Sequence, residues 1–387
     1  MNYFGMDSGG GAEVNTLMTA KALQNKGIKA FIASTGNYEG FQVAKFRPFR
    51  LKMLYFQKHY LKNFLQKIIE REGIDLVHSM DRLTCVAAVL AAKKLKKPVV
   101  VSFNDHWFIC PKSTCVNNEK QLCVDCGFAK VLKCFPLRRV PWELYKLSSI
   151  KSALKIIKKA SAFTAVGMPL VSKLAKLGIN AELVPNFVDL KQFKNAEPEK
   201  SIENIKLKKL HFSGRLSYER GVDVLAEIIV ELLSKRDDFC FVITGDGPLR
   251  QGLEKISKEF PGRVLLLGRL EFSKLARVYK SSDAVLIPAV LDEPFGRVMI
   301  EAMACKKPVF ASRIGNYKDV ITDGVNGFLV SRKDSKEWVE KIIKNFANKE
   351  RMRKIANNGF RTVEKNFSEK PVIEKLLRVY HSISCSS

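Results

Sequence analysis

The feature that most constrains this chain is an alternation present in both halves: a short apolar run beside a longer stretch of helical periodicity. In the first half the runs 29–34, 76–79, 98–103 and 162–166 follow helical patterns over 12–26 and around 63–72, 84–96 and 142–159. In the second half the runs 210–213, 239–244, 264–267, 284–287 and 308–311 are each followed by a helical pattern. Short strands separated by helices predict a parallel sheet with helices on both faces. Two such sets in 387 residues predict an α/β protein of two doubly wound, Rossmann-like domains, with a ligand expected in a cleft between them. The stretch 184–201, with Pro185, Pro198 and many charges, separates the halves. The expected organisation is a first domain over 1–187, a linker over 188–204, a second domain over 205–366, and a C-terminal helix over 367–387 packing back on the first domain. The expected first strand, 1–6, is very short.

Composition narrows the class. Hydrophobic residues make up 46% and charged residues 27%, as in ordinary globular proteins, which argues against disorder and coiled coil. The longest strongly apolar run, 84–92, falls well short of the roughly 20 residues a spanning helix needs. Met1-Asn2-Tyr3-Phe4 lacks the basic start and long apolar core of a secretory signal. Nine cysteines are too few for a disulfide scaffold, so the expected location is a reducing cytoplasm.

The net charge is +27, from 66 Lys+Arg and 39 Asp+Glu. Residues 1–190 hold 29 Lys+Arg against 13 Asp+Glu, so the first half is the more basic. Such a field favours polyanions: nucleic acid, nucleotide phosphates or an anionic membrane. Between 45 and 62, Lys45, Arg47, Arg50, Lys52, Lys58 and Lys62 interleave with Phe46, Phe49, Tyr55 and Phe56. That pattern suits a segment lying at a membrane interface, and equally a core helix with a solvated basic face. Neither a zinc-finger spacing nor an RNP-like aromatic pattern is present in the sequence, so no nucleic-acid partner is expected.

Three stretches carry chemistry. Gly9-Gly10-Gly11-Ala12-Glu13 opens a helix, where glycines let the backbone approach a phosphate or sugar. The run is not GxGxxG, and a plain tight turn is the alternative. Phe212-Ser213-Gly214-Arg215-Leu216 leads to Glu219-Arg220-Gly221. Guanidiniums at Arg215 and Arg220, on a loop before a helix, can clamp a diphosphate; surface ion pairing is the alternative. Asp292-Glu293-Pro294-Phe295-Gly296-Arg297-Val298-Met299-Ile300-Glu301 places Glu293 on a loop and Glu301 on the following helix. The amides near Phe295, Gly296 and Arg297 then lie at a positive helix end, and Glu301 can accept ribose hydroxyls.

Together these residues resemble the retaining, two-Rossmann-domain (GT-B) glycosyltransferases of family 4. The family's early glycine pair and Glu are matched by Gly10, Gly11 and Glu13. Its Pro-Asn-Gly-Val-Asp linker is matched by Pro185-Asn186-Phe187-Val188-Asp189, with Phe187 for glycine. Its Gly-Arg…Glu-Lys-Gly is matched by Gly214, Arg215, Glu219, Arg220 and Gly221, and its Glu-x₇-Glu by Glu293 and Glu301. Ile314-Gly315-Asn316-Tyr317 departs from a late glycine pair, and Asp323-Gly324-Val325-Asn326-Gly327-Phe328 follows the family pattern.

The resemblance implies a donor, a UDP- or GDP-sugar, and an acceptor, a saccharide or lipid-linked saccharide of cell-surface polysaccharide or glycolipid synthesis. Arg215 and Arg220 would hold the diphosphate, Glu301 the ribose, and Glu293 with the Phe295 and Gly296 backbone the donor sugar. Gly10, Gly11, Gly214 and Arg297 would complete the donor site. The absence of any Asp-x-Asp in the sequence agrees with arginine in place of a metal at the diphosphate, so no catalytic cofactor is expected. Where the family often has His-Asp, Ser102-Phe103-Asn104-Asp105-His106 places Asn104. If the family's interaction here uses the backbone carbonyl, Asn104 can supply it; if it needs an imidazole, His106 would have to swing in.

Five cysteines cluster within 110–134: Cys110, Cys115, Cys123, Cys126 and Cys134. A Cys-x₂-Cys pair with two further cysteines could make a structural zinc site ordering an insertion, with free thiols or disulfides as the alternatives. Two other functions remain open at this level. One is a nucleotide-sugar epimerase of the same architecture; the other is a non-catalytic basic protein binding nucleic acid or anionic lipid. The excess positive charge, concentrated in the half facing the acceptor, is best used by a membrane-borne acceptor. Peripheral association with the inner face of the cytoplasmic membrane is therefore expected.

Overall fold

The computed structural model describes residues 11–384, apart from 35, 37, 47–53, 83, 116, 118–122 and 124. The expected strand 1–6, Gly10, and Arg47, Arg50 and Lys52 lie outside the described residues. The chain divides into two compact units, Met1–Pro185 with Val372–Ser387, and Asn186–Pro371.

In the first unit, β1 (Phe31–Ser34) and β2 (Gln42–Lys45) form a parallel pair. β3 (Val77–Ser79), β4 (Val99–Phe103), β5 (Ala162–Ala165) and β6 (Glu182–Leu183) form a parallel four-stranded sheet in that order. β4 reads Val-Val-Val-Ser-Phe and is buried at every position, the near-continuous apolar run of a strand covered on both faces. The helices Leu54–Arg71 and Cys85–Lys94 pack through Leu61, Leu65 and Ile69 against Ala87, Ala88 and Ala91. Large residues four apart meet small ones, so the two backbones approach closely. The C-terminal helix Glu369–Ser384 is tied to this sheet by a polar chain. Tyr380 Oη lies 2.7 Å from His78 Nδ1, His78 Nε2 lies 2.6 Å from Ser102 Oγ, and Ser102 meets Thr164.

The second unit holds β7 (Lys208–Ser213), β8 (Phe239–Thr244), β9 (Val264–Gly268), β10 (Ala284–Ile287), β11 (Val309–Ser312) and β12 (Phe328–Val330). They form one parallel sheet in the order β12-β11-β10-β7-β8-β9. The chain builds outward from β7 to β9, then returns beside β7 with β10 and builds the other way. β7 and β10 therefore flank the point where the winding reverses, the place where doubly wound sheets bind ligands.

All strands expected from the alternation within the described residues are present. β2, β6, β12 and the helix Phe128–Cys134 are additional. β6 and β12, of two and three residues, are too short to show a period. The stretch 188–204, expected as a linker, is part of the second unit's packing. The Asp189 carboxylate accepts from the Lys191 and Gln192 amides and caps the helix Leu190–Lys194. Ile202 packs on Val242 and Val278, and the Val188 amide donates to the Phe367 carbonyl at 3.0 Å. The chain passes between units at Pro185–Asn186 and again at Pro371–Val372.

Candidate functional site

The loops leaving the C-terminal ends of β7 and β10 carry the site of the second unit. After β7 the chain runs through Gly214 and Arg215 into a single 3₁₀ turn, Tyr218–Arg220, and then the helix Val222–Lys235. The joint between turn and helix is Gly221, at φ +72°. A Cβ there would stand 1.7 Å from the Pro288 carbonyl oxygen on the loop leaving β10. Only glycine lets these two loops touch.

That contact brings Arg220 to Glu293. Arg220 Nη1 donates to Glu293 Oε2 at 2.6 Å. The Glu293 carboxylate holds the guanidinium above its ordinary range, against the opposing effect of burial, and Tyr317 lies beside it. Arg215 is exposed and has no ion-pair partner among the described residues. One arginine is thus anchored and the other presents its charge to solvent.

Glu293 is held from behind. Asn316 donates its amide N–H to the Glu293 carbonyl at 3.2 Å and its side-chain N–H to the Phe295 carbonyl at 2.9 Å. Gly296 sits at φ +86°, where a Cβ would meet the Tyr317 ring at 2.3 Å, and it opens the helix Arg297–Ala304. The first amides of a helix have no acceptor within it, so this turn presents N–H groups and a partial positive charge. One turn on, Glu301 is buried, with 4% exposure. Its Oε1 accepts from Arg297 Nε at 3.2 Å and its Oε2 from Tyr279 Oη at 3.2 Å. Burial, with the neighbouring carboxylate, pushes the Tyr279 phenol well above its ordinary range, so it stays a donor. A buried carboxylate held by two donors keeps its remaining lone pairs aimed in fixed directions.

The chain's family follows from comparison with known proteins. Residues 193–362 match the family Glycosyl transferases group 1, and residues 9–192 match Glycosyltransferase Family 4. This chain is a family 4 glycosyltransferase. It is 27% identical over 332 residues to an uncharacterized glycosyltransferase of Methanocaldococcus jannaschii, covering 82% of this chain and 78% of that one. It is 25% identical to one component of the human phosphatidylinositol N-acetylglucosaminyltransferase over 82% of this chain, spanning 62% of that protein. The fold matches the crystal structure of Anabaena HepE in complex with UDP, with a TM-score of 0.72, 18% identity and 97% of each chain covered. The architecture is GT-B.

The glycosyltransferase's first unit places the other expected residues. Gly11 opens the helix Gly11–Gln24. Asn104 follows β4, and its side-chain N–H donates to the Met80 carbonyl beyond β3 at 2.8 Å. His106 is 1% exposed, and its carbonyl accepts from the Ile109 and Cys110 amides. The tight turn it occupies is lined by Phe103 and Trp107, stacked 5.8 Å apart. Its imidazole is therefore packed within this unit.

The five cysteines of the expected zinc site lie in the first unit. Among the described residues, no group of three or more His, Cys, Asp or Glu side chains is placed to hold a metal. Instead Cys115 donates to Cys110, and that hydrogen bond holds the Cys110 thiol down at about 6 while pushing the Cys115 thiol up. Cys110, Cys115 and Cys134 are buried, and none of the described cysteines is in a disulfide.

Tyr279, Asn316 and Tyr317 were not legible as site residues. Tyr279 lies on the amphipathic helix Phe272–Ser281, where a tyrosine on the apolar face reads as core. Asn316 stands where the family pattern has a glycine, and that departure was its only signal.

Proposed function

We propose that this glycosyltransferase binds a nucleoside-diphosphate sugar, UDP- or GDP-linked, in the second unit. It would transfer the glycosyl group with retention to a hydroxyl of a saccharide or lipid-linked saccharide, in cell-surface polysaccharide or glycolipid synthesis. The observation that carries this reading is the Arg220–Glu293 contact at the winding reversal, with Arg215 exposed on the same loop. Two permanent positive charges beside a helix N-terminus suit a diphosphate. HepE was crystallised with UDP, and the human relative's name specifies phosphatidylinositol; both agree with the proposed donor and a lipid-linked acceptor.

In this reading Arg215 and Arg220 take the two phosphates. Glu293 spends Oε2 on Arg220 and leaves Oε1 for a sugar hydroxyl. The Phe295, Gly296 and Arg297 amides add donors, and Glu301 takes the ribose hydroxyls. The bond from the anomeric carbon to the phosphate oxygen breaks as the acceptor oxygen bonds the same face through a short-lived oxocarbenium-like ion pair. The acceptor proton passes to the departing phosphate. Guanidinium and amide donors already in place stabilise the charge that develops on that phosphate, the term that usually dominates such rate enhancements.

A screen of UDP-, GDP- and ADP-sugars by nucleotide release, with calorimetry of the free nucleotides, tests the reading. Glu301→Ala should weaken nucleotide binding by about tenfold or more, since a hydrogen bond to a charged group contributes roughly 1.5–3 kcal/mol. Arg220→Ala should lower turnover by orders of magnitude. Near-normal binding and transfer in both variants would remove the site assignment.

A further inference from the structure

Four of the ten exposed large apolar side chains among the described residues lie in one segment of the first unit that the donor site does not use. Phe128, Leu132, Leu137 and Trp142 are 63, 40, 80 and 40% exposed. They lie on the helix Phe128–Cys134, the 3₁₀ turn Leu137–Arg139 and the first turn of the helix Val140–Ile157. These elements pack on each other through a small core of their own: Val131, Cys134, Phe135, Val140 and Leu147. Phe128 and Leu132, four apart, share one exposed face of the helix.

The same segment is strongly basic. Lys130, Lys133, Arg138, Arg139, Lys146 and Lys151 stand against Glu143 alone within 128–151. Glu143 is buried, and Arg139 and Lys146 both donate to it, at 2.9 and 3.0 Å. Lys130 pairs with Asp125. Lys133 and Arg138 have no ion-pair partner among the described residues and are exposed beside Leu132 and Leu137. Trp142 stacks on Tyr145 at 5.4 Å, with the Lys146 ammonium 5.8 Å from its ring centre. Exposed Phe, Leu and Trp rimmed by Lys and Arg is the composition that settles into the headgroup region of a bilayer. The apolar groups enter the acyl boundary and the cations meet lipid phosphates. Among the described residues no helix is long and apolar enough to cross a membrane, so the segment would lie along the surface.

We propose that the segment 128–142 docks this protein on an anionic lipid bilayer, with Phe128, Leu132, Leu137 and Trp142 inserted and Lys133 and Arg138 on the headgroups. The partner is argued from charge: a patch this basic, on a chain of net charge +27, repels a second copy of itself and attracts acidic lipid. The inference does not depend on the donor reading.

Vesicle flotation and tryptophan quenching test it. The full chain should bind vesicles of 70% phosphatidylcholine and 30% phosphatidylglycerol at least tenfold more tightly than pure phosphatidylcholine, with binding retained at 0.15 M salt. Trp107 and Trp338 are buried, so quenching by lipids brominated in the acyl chain reports Trp142. That quenching should vanish in Trp142→Phe while flotation persists. The double variant Phe128→Ser with Leu137→Ser should lose binding at least tenfold, and Arg138→Glu with Lys133→Glu severalfold. Nucleotide binding and the melting curve in each variant show whether it is folded. Unchanged flotation in a folded Phe128→Ser, Leu137→Ser variant overturns the proposal, as does absence of quenching by brominated lipid. Sedimentation showing a dimer that this variant dissociates, with no vesicle binding, assigns the patch to a second copy instead.

Discussion

Gly221→Ala tests whether the two site loops must touch. The added Cβ would stand 1.7 Å from the Pro288 oxygen, and ordinary contact begins near 3.4 Å. One loop must therefore retreat by about 1.7 Å. Applied to the Arg220–Glu293 contact, which is 2.6 Å, that displacement opens it to roughly 4.3 Å, beyond hydrogen bonding. The left-handed backbone costs an alanine about 1–2 kcal/mol, and losing a charged hydrogen bond about 1.5 kcal/mol more for a half-exposed pair. The sum, about 3 kcal/mol, corresponds to roughly 6–12 °C in the melting of a unit this size. Turnover should fall more than stability. A misplacement of 1 Å among positioned groups can cost about 10²-fold, so donor turnover should drop by about that factor at a temperature where the variant is folded. Differential scanning calorimetry, in which the two units can melt separately, and nucleotide release from the donor measure the two effects. Gly252 is the control. It lies in the helix Arg250–Glu259 with nothing within 4 Å of an added Cβ, so Gly252→Ala should be neutral or stabilise by up to about 1 kcal/mol. A Gly221→Ala variant that melts and turns over like the parent would refute the reasoning.

Other outcomes are specific. Tyr279→Phe leaves Glu301 Oε2 without its phenol donor; the second unit should lose about 1.5 kcal/mol and UDP should bind severalfold more weakly, and calorimetry showing neither contradicts the positioning role. His211 is fully buried, meets Thr244 Oγ1 at 2.9 Å, and burial lowers it to about 3. The unfolded chain therefore binds the extra proton between pH 6.5 and about 3, and the second unit should lose stability as pH falls, by at most about 1.4 kcal/mol per pH unit from this group. His211→Gln should flatten that slope in urea melts; an unchanged slope assigns it to other groups. Cys110, held down at about 6 by Cys115, should be alkylated with a half-point near pH 6, whereas Cys126, pushed up to about 11 by burial, should need strong base. A Cys110 half-point near 9, read by mass spectrometry, contradicts the thiol pair.

The alternation of apolar runs and helical periods was enough to place both sheets, because buried parallel strands such as β4 and β8 leave uninterrupted apolar runs. It also placed Glu293 on a loop and Glu301 on the helix behind it, since Pro294 and Gly296 mark the boundary. What it could not supply was the bracing. That Asn316 holds two carbonyls and that Tyr279 reaches Glu301 depend on contacts between neighbouring loops and neighbouring helices, with Phe295 and Asn316 21 positions apart and Tyr279 and Glu301 22, and no local period encodes them. The cysteine spacing suggested four convergent thiolates. That Cys115 donates to Cys110 is a pairing that spacing alone does not contain.

The first unit is completed by residues that come after the whole of the second. The His78–Tyr380 bond joins positions 302 apart, and between them the chain makes an uninterrupted unit, Asn186–Pro371. The second unit, continuous in sequence, can therefore close while the first still lacks the helix that covers His78. Contacts so distant in sequence form slowly, and an unfinished sheet with exposed apolar surface is where aggregation starts. A released chain truncated after residue 371 should hold a protease-resistant second unit beside a sensitive first one. Resistance in the first should appear only once the last helix is made. The order in which this enzyme becomes stable would thus run opposite to the order in which it is read.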